Sequence, residues 1–469
     1  MAYVKRTLSV LAAVLLCACW AEADVPVSAD APQPSSSAGR IRQPGSAYLA
    51  WAPAGTSDVP SGQPAAKPEE PAAKPEEKKE EEKKEEEEKP PEPRHLIGDL
   101  GCTGINVNGW VDIGGTFNPQ NPGSHYNGTL APNDRDEIQF NQTYLVMEKA
   151  LKPENGCWDL GGRIDFLYGS DYIYCESLGF ETHPDGTPKW NASKQYGLAV
   201  PQAYIDVGND KLDLKLGRFY TIIGYEGMMA TGNFFYSMNY AVRYAEPTTH
   251  TGGLFTYKLN DDVTLYAGGC DGQDQTDGVV DSFNVLTGFA YAPKKEKYAL
   301  NFGLMTGGLG PGNVTFSGPH TYFSVFGTYN VSDKWQTVTQ WDTGWQDNFD
   351  GLGLDHTALF YSFTQYLFYT INPCWKAGLR YDMFVDDQGD KLGGLRFGGV
   401  PGGNPLPLPS GSAGTVQAIT AGLNYTPNPN IRVRPELRWD WFEGTGTPLF
   451  DDKTKNGQFT GAVDFVVIF

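Results

Sequence analysis

Residues 457–469, GQFTGAVDFVVIF, alternate along the chain. Phe459, Gly461, Val463, Phe465, Val467 and Phe469 fall on one side; Thr460, Ala462, Asp464 and Val466 fall on the other. A period of two with one apolar face predicts a strand. The same theme, about ten alternating residues and then a turn signal, recurs from Gly104 onward. It predicts sixteen strands, at 105–116, 136–148, 157–168, 198–208, 211–221, 249–259, 262–270, 283–292, 297–307, 319–330, 333–344, 356–371, 374–385, 415–426, 429–441 and 457–469. Seven connections are short: LKPENG, VGNDK, KLNDD, APKKEK, NVSD, INPC and TPNPN. They hold the Asn, Asp, Gly and Pro that tight turns need. The alternate connections, 117–135, 169–197, 222–248, 271–282, 308–318, 345–355, 386–414 and 442–456, are longer. A half-buried edge strand of a soluble sandwich would explain the last segment alone, but a sandwich has no reason to collect every short turn at one end. A closed antiparallel transmembrane β-barrel has one, with short turns on the periplasmic side and long loops outside. Closure removes the sheet edges. It also accounts for a chain that stops on an apolar aromatic: the last strand pairs with the first and turns its apolar face to lipid. The fold class expected is all-β, a barrel of about 16 strands.

Composition agrees. Aromatic residues make up 13% of the chain, with 25 Tyr, 25 Phe and 56 Gly. The longest apolar run is N-terminal, so hydropathy predicts no later membrane-spanning helix. Residues 1–23 read as a secretory signal peptide: Lys5 and Arg6, the apolar run Leu8–Leu16, and Ala21-Glu22-Ala23 before a cut at Asp24. Leu16-Cys17-Ala18-Cys19 also resembles a lipoprotein cleavage site, with Cys19 as the lipidated residue. Residues 24–94 form a disordered spacer, first Pro/Ala-rich and then Lys/Glu-rich. Its part 67–94 has 12 Glu, 7 Lys and 1 Arg and no side chain able to build a core. The whole chain carries −20, so about −16 remains on the barrel region, residues 95–469, which argues against nucleic acid as a partner. Five cysteines follow the signal, Cys102, Cys157, Cys175, Cys270 and Cys374. They match no zinc spacing, and one or two disulfides are open to an exported chain.

The stretches PQAYIDVGNDKL (201–212), KLDLKLGRFYTIIGYEGM (211–228) and the terminal DFVVIF resemble the outer-membrane porins. Within these, the chain is similar over roughly residues 100–469 to the group called OmpL-like, or putative β-barrel porin-2. The resemblance implies sixteen strands, a third long loop folded into the lumen, often a homotrimer, and recognition of the Phe469 terminal strand by the barrel insertion machinery. It implies a transport class and no particular solute.

Alternation then assigns the lumen face. In NIRVRPELRWDWF (430–442), Ile431, Val433, Pro435, Leu437, Trp439 and Trp441 face lipid, while Arg432, Arg434, Glu436, Arg438 and Asp440 face water. Pro435 lacks a ladder donor, which suggests a bulge. Arg163 and Asp165, and Lys376, Arg380 and Asp382, face inward on two further strands, making one Arg-rich wall. Arg218 breaks the phase of Leu212, Leu214 and Leu216. A bulge at Gly217 would turn it inward, and a lipid-facing Arg at mid-depth would cost roughly 2–4 kcal/mol. The connection 222–248 is too rich in aromatics for a solvated loop. It is expected to pack on the inner wall, with Tyr225, Glu226, Arg243 and Glu246 at the constriction and the two Glu opposing the Arg wall. Equally, these charges could simply pair and solvate the lumen. Trp158, Trp335 and Trp375, each at the start of a strand, suit an interfacial girdle.

The function expected is passive diffusion of small hydrophilic solutes and ions across a bacterial outer membrane, with no catalytic step and no cofactor. None of the six His lies in a recognisable nucleophile motif. The alternatives are a substrate-specific channel, or a surface adhesin or binding barrel with a closed lumen. DGQDQTDG (271–278) and DDQGD (386–390) have acidic spacing but lack the full calcium-loop pattern. No metal site is expected.

Overall fold

The computed structural model describes residues 93–128, 135–183, 187–191, 195–276, 283–294, 296–308, 319–346, 357–389, 391–392 and 412–469. The signal and all but the last two residues of the spacer, with Cys19, lie outside these.

Sixteen strands form the wall: β1 (Asn106–Phe117), β2 (Ile138–Lys149), β3 (Asp159–Gly169), β4 (Gly197–Gly208), β5 (Leu212–Tyr220), β6 (Thr249–Lys258), β7 (Val263–Cys270), β8 (Asn284–Tyr291), β9 (Tyr298–Gly308), β10 (Pro319–Asn330), β11 (Trp335–Gln346), β12 (Ala358–Asn372), β13 (Trp375–Asp386), β14 (Ala413–Asn428), β15 (Ile431–Thr445) and β16 (Gly457–Ile468). Each pairs antiparallel with the next, and β16 pairs with β1 from Gly461↔Phe117 to Ile468↔Trp110. Two 2.8 Å bonds between the Phe469 and Gly109 backbones complete the closure. The barrel is therefore sealed at the alternating strand that the pattern marks as the closing one. The ladder between β14 and β15 passes from Gly422↔Glu436 to Tyr425↔Val433 in one register, leaving out Pro435. The register shift falls nearer the turn, between Tyr425 and Asn428, because Pro435 omits a bond without adding a residue.

The alternation resolves into an inside and an outside. On β15, Trp439 is 60% exposed and Leu437 is 55% exposed, while Asp440 between Trp439 and Trp441 is fully buried. Leu160, Ile205, Phe255, Leu379, Ile419 and Phe465 continue the apolar exterior on other strands. Near the short-turn ends, Trp335 packs at a tilt against Tyr369 (4.6 Å), Trp375 stacks on Tyr425 (4.4 Å), and Trp158 is exposed. Such amphipathic rings suit a headgroup boundary. The chain reaches the wall at this same end. Arg94 donates its backbone N–H to Asn430 Oδ1 (3.1 Å), and Asn430 Nδ2 donates to the Arg94 and Ile468 carbonyls (2.7 and 2.8 Å).

β14 and β15 run well past the bounds that the alternation predicts. β15 continues to Thr445 because Phe442–Thr445 still pairs with Ala413–Val416. The third external segment (L3, residues 221–248) enters the barrel, and every residue of it except Ile222 and Thr231 is buried. It carries a short helix, α2 (Tyr240–Tyr244); another, α1 (Tyr172–Cys175), lies in the second segment. All five cysteines of the barrel region are free thiols.

Candidate functional site

Register builds the inner wall from rows. Arg380, Thr420, Arg438 and Thr460 lie opposite one another across β13–β16, and Asp382, Ala418, Asp440 and Gln458 form the adjoining row. Arg434 faces Asp464 one row pair further toward the short turns. Nearly all of these polar groups are out of water: Arg380 is fully buried, and Arg434 and Arg438 are each 2% exposed. L3 lies directly on them. Arg434 donates to the carbonyls of Ala230, Asn233 and Phe235 (2.9, 2.9 and 3.0 Å), while its other nitrogens hold Asp464, and Asp112 stands 3.8 Å away. Arg380 donates to Glu226 and to the Ser237 carbonyl, both at 2.7 Å. The wall carboxylates receive the loop's amides: Glu436 those of Tyr236 and Ser237 (3.0 and 3.2 Å), and Asp382 that of Tyr240 (3.1 Å). The Arg-rich wall is thus the surface on which L3 is seated. The guanidiniums of Arg380, Arg434 and Arg438 are each paired with a carboxylate while spare donors satisfy loop carbonyls that would otherwise be buried without partners.

Shape reinforces charge. Phe234, Phe235 and Tyr236 enter the wall where it lacks side chains. A Cβ on Gly378 would lie 2.4 Å from a Phe234 ring carbon, and one on Gly114 would lie 2.3 Å from the Tyr236 ring. Neither approach is open to any other residue without displacing the loop. On the opposite side L3 meets β10–β12. Tyr225 packs on Phe326 and Tyr366 (5.5 and 5.0 Å), and Gln340 donates to Glu246 (2.5 Å).

The residues singled out by alternation therefore separate into groups. Glu226 touches Arg380 directly, so that pair spans no aqueous gap. Glu246 accepts from Gln340. Arg243 lies over the Tyr240 ring (5.2 Å) beside Arg438 (4.9 Å), and Arg432 donates to the Thr231 carbonyl (2.7 Å). Lys376 is half-buried at the turn-side end of the wall. Arg163 and Asp165 stand apart on β3, bonded to each other at 2.7 Å. Arg218 is buried elsewhere. The β4·β5 ladder runs through Gly217 (φ +131°) with no register shift and ends at Ala203↔Arg218, while β5·β6 continues to Tyr220↔Thr249. Above that point the second external segment covers Arg218, whose guanidinium pairs with Glu181 (2.6 Å) and donates to the Cys175 carbonyl. A bulge is unnecessary because a partner comes to the arginine.

That segment also buries two carboxyls. Loss of water pushes Asp171 up to about 7 and Glu176 up to about 7. The acidic external stretches are used structurally: Asp274 accepts from the Thr248 and Thr249 amides (3.1 and 2.8 Å), and Asp386 from those of Lys391 and Leu392 (2.7 and 2.8 Å). Among the described residues no group of three or more His, Cys, Asp or Glu is placed to hold a metal.

L3 leaves a cavity of ≈ 220 Å³ on the short-turn side, bordered by Glu148, Arg163, Tyr204, Lys215, Tyr266 and Asn301. Of these, alternation reasoning named only Arg163. The same parity on β2 and β5 would have found Glu148 and Lys215.

A family model described as putative β-barrel porin-2, OmpL-like, matches residues 104–469. Curated protein sequences give no match. Among solved structures, the outer membrane channel DcaP of Acinetobacter baumannii aligns at 14% identity and TM-score 0.52, covering 80% of this chain and 100% of that one. An anion-selective porin from Comamonas acidovorans aligns at 11% identity and TM-score 0.50, covering 78% and 99%. At these identities the structural likeness speaks for the barrel, and the family match speaks for the class. With its closed wall, apolar exterior and inward-folded third segment, the chain belongs to the OmpL-like putative β-barrel porin-2 family, a diffusion channel of the bacterial outer membrane.

Proposed function

We propose that small hydrophilic solutes and ions cross this barrel through a narrow path beside L3. The observation that carries this reading is the cavity between L3 and the wall, a space of ≈ 220 Å³ bordered by charged and amide side chains. Burial of the Arg wall favours a narrow, solute-selective channel over a wide one, because the Arg wall is already matched by carboxylates and loop carbonyls. Ion preference then depends on the few groups that still meet water, since charges more than about 8 Å away are screened at physiological salt. Residues 1–23 serve as the export signal in this reading, the Phe469 strand engages the insertion machinery, and a homotrimer is the assembly the family implies.

Residues 24–469, refolded in detergent and placed in a planar bilayer, should give stable single-channel steps. A folded, heat-modifiable barrel without conductance would sink the channel reading and favour a binding barrel. Orientation has its own test. Cys102 and Cys157 are exposed at the short-turn end. A membrane-impermeant maleimide should label them only after the outer membrane is permeabilised; equal labelling of intact cells would reverse the topology.

A further inference from the structure

The cavity beside L3 carries both signs of charge in fixed positions. Glu148 and Arg163 are register partners on β2 and β3, with Arg163 Nη1 3.9 Å from Glu148 Oε1. That gap is too long for a hydrogen bond, and the two side chains keep 35% and 16% exposure. Arg163 cannot swing away. Its Nε and Nη2 are bonded to Asp165 at 2.7 and 2.9 Å, and Asp165 is itself fixed by Tyr144 (2.5 Å) and Gln202 (2.8 Å). The remaining nitrogen, Nη1, is presented beside Glu148. Lys215 borders the same space with its ammonium 4.2 Å from the Tyr204 ring centroid, and Tyr266 and Phe326 supply flat walls.

We propose that this cavity is a recognition subsite for small zwitterions that carry an ammonium and a carboxylate a few bonds apart. The carboxylate meets Arg163 and Lys215; the ammonium meets Glu148. A simple anion would have to sit beside Glu148, and a simple cation beside Arg163 and Lys215. Only a dipolar solute satisfies both ends at once, through charge-assisted bonds strengthened by partial removal from water. The subsite deepens the channel reading and rests on it for its physiological meaning.

The test uses four solutes of similar length: 4-aminobutyrate, butyrate, butylammonium and 1,4-butanediol. Each is titrated against the single-channel current, and separately against the folded barrel in detergent by saturation-transfer NMR, which needs no open path. The zwitterion should half-block at a concentration about tenfold lower than the other three, as one extra charge-assisted bond allows. Glu148→Gln should erase its advantage over butyrate, and Lys215→Met should weaken both carboxylates. Equal affinity for all four would overturn the subsite while conductance upheld the channel. The zwitterion ranking without conductance would uphold the subsite and overturn the channel. A butyrate preference unchanged in E148Q would make this an anion subsite and overturn the assignment.

Discussion

Arg434→Met should lower the unfolding free energy of the barrel by about 3–5 kcal/mol, the cost of leaving a buried charge without its partner. Arg434 is 2% exposed, and its removal strands Asp464, which is fully buried, and Asp112 at 3.8 Å. It also strips donors from three L3 carbonyls. Methionine keeps most of the volume, so the loss is electrostatic rather than a cavity. The companion variant R434M/D464M should recover part of the deficit, because a pair replaced by apolar side chains leaves fewer lone charges than a pair cut in half. The measurement is the urea midpoint of the heat-modifiable gel shift for the three proteins. A loss under about 1 kcal/mol in R434M, the scale of an exposed pair, would mean that water reaches Asp464 and that L3 is not sealed on this wall.

The strand order, the inside and outside of each strand and the inward course of L3 were all legible in the sequence. A period of two with one buried face fixes parity strongly, and a slip of one residue would turn Arg434 and Arg438 into lipid. Alternation says which way a side chain points, however, and not what rests on it. The contacts that convert the Arg wall into a seat for L3 join residues about two hundred positions apart, such as Arg434 and Phe235, and no local pattern encodes them. The Glu181–Arg218 pair is hidden for the same reason: its carboxylate arrives from another loop. The pairing of Glu148 with Arg163 was within reach of parity. The denser charge row of β15 stands out more in the pattern, and its polar groups are the ones that bond to L3 and to one another.

Deleting residues 227–242 and bridging the gap with a short Gly/Ser linker should widen the pore, raising single-channel conductance several-fold over the native barrel. Sixteen strands enclose an aqueous channel unless something fills it, and in this barrel L3 is what reaches from the β13–β16 wall to β10–β12. Without it, Arg380, Arg434 and Arg438 meet water with Asp382, Asp440 and Asp464 still beside them, so the wall stays balanced and the barrel stays closed by its backbone ladder. A gentler version uses the seat itself. Gly378→Val and Gly114→Val each add a branched side chain where a loop ring already lies within 2.4 Å of the Cβ position. Overpacking of this kind costs about 1–3 kcal/mol, and here the element free to yield is the loop, because the strands are tied on both sides. The valine variants should therefore show flickering or enlarged steps while keeping the gel shift of a folded barrel. Unchanged conductance in the deletion would mean that the narrowest point lies outside L3, among the external segments, and that seating the loop on the arginine wall serves stability alone.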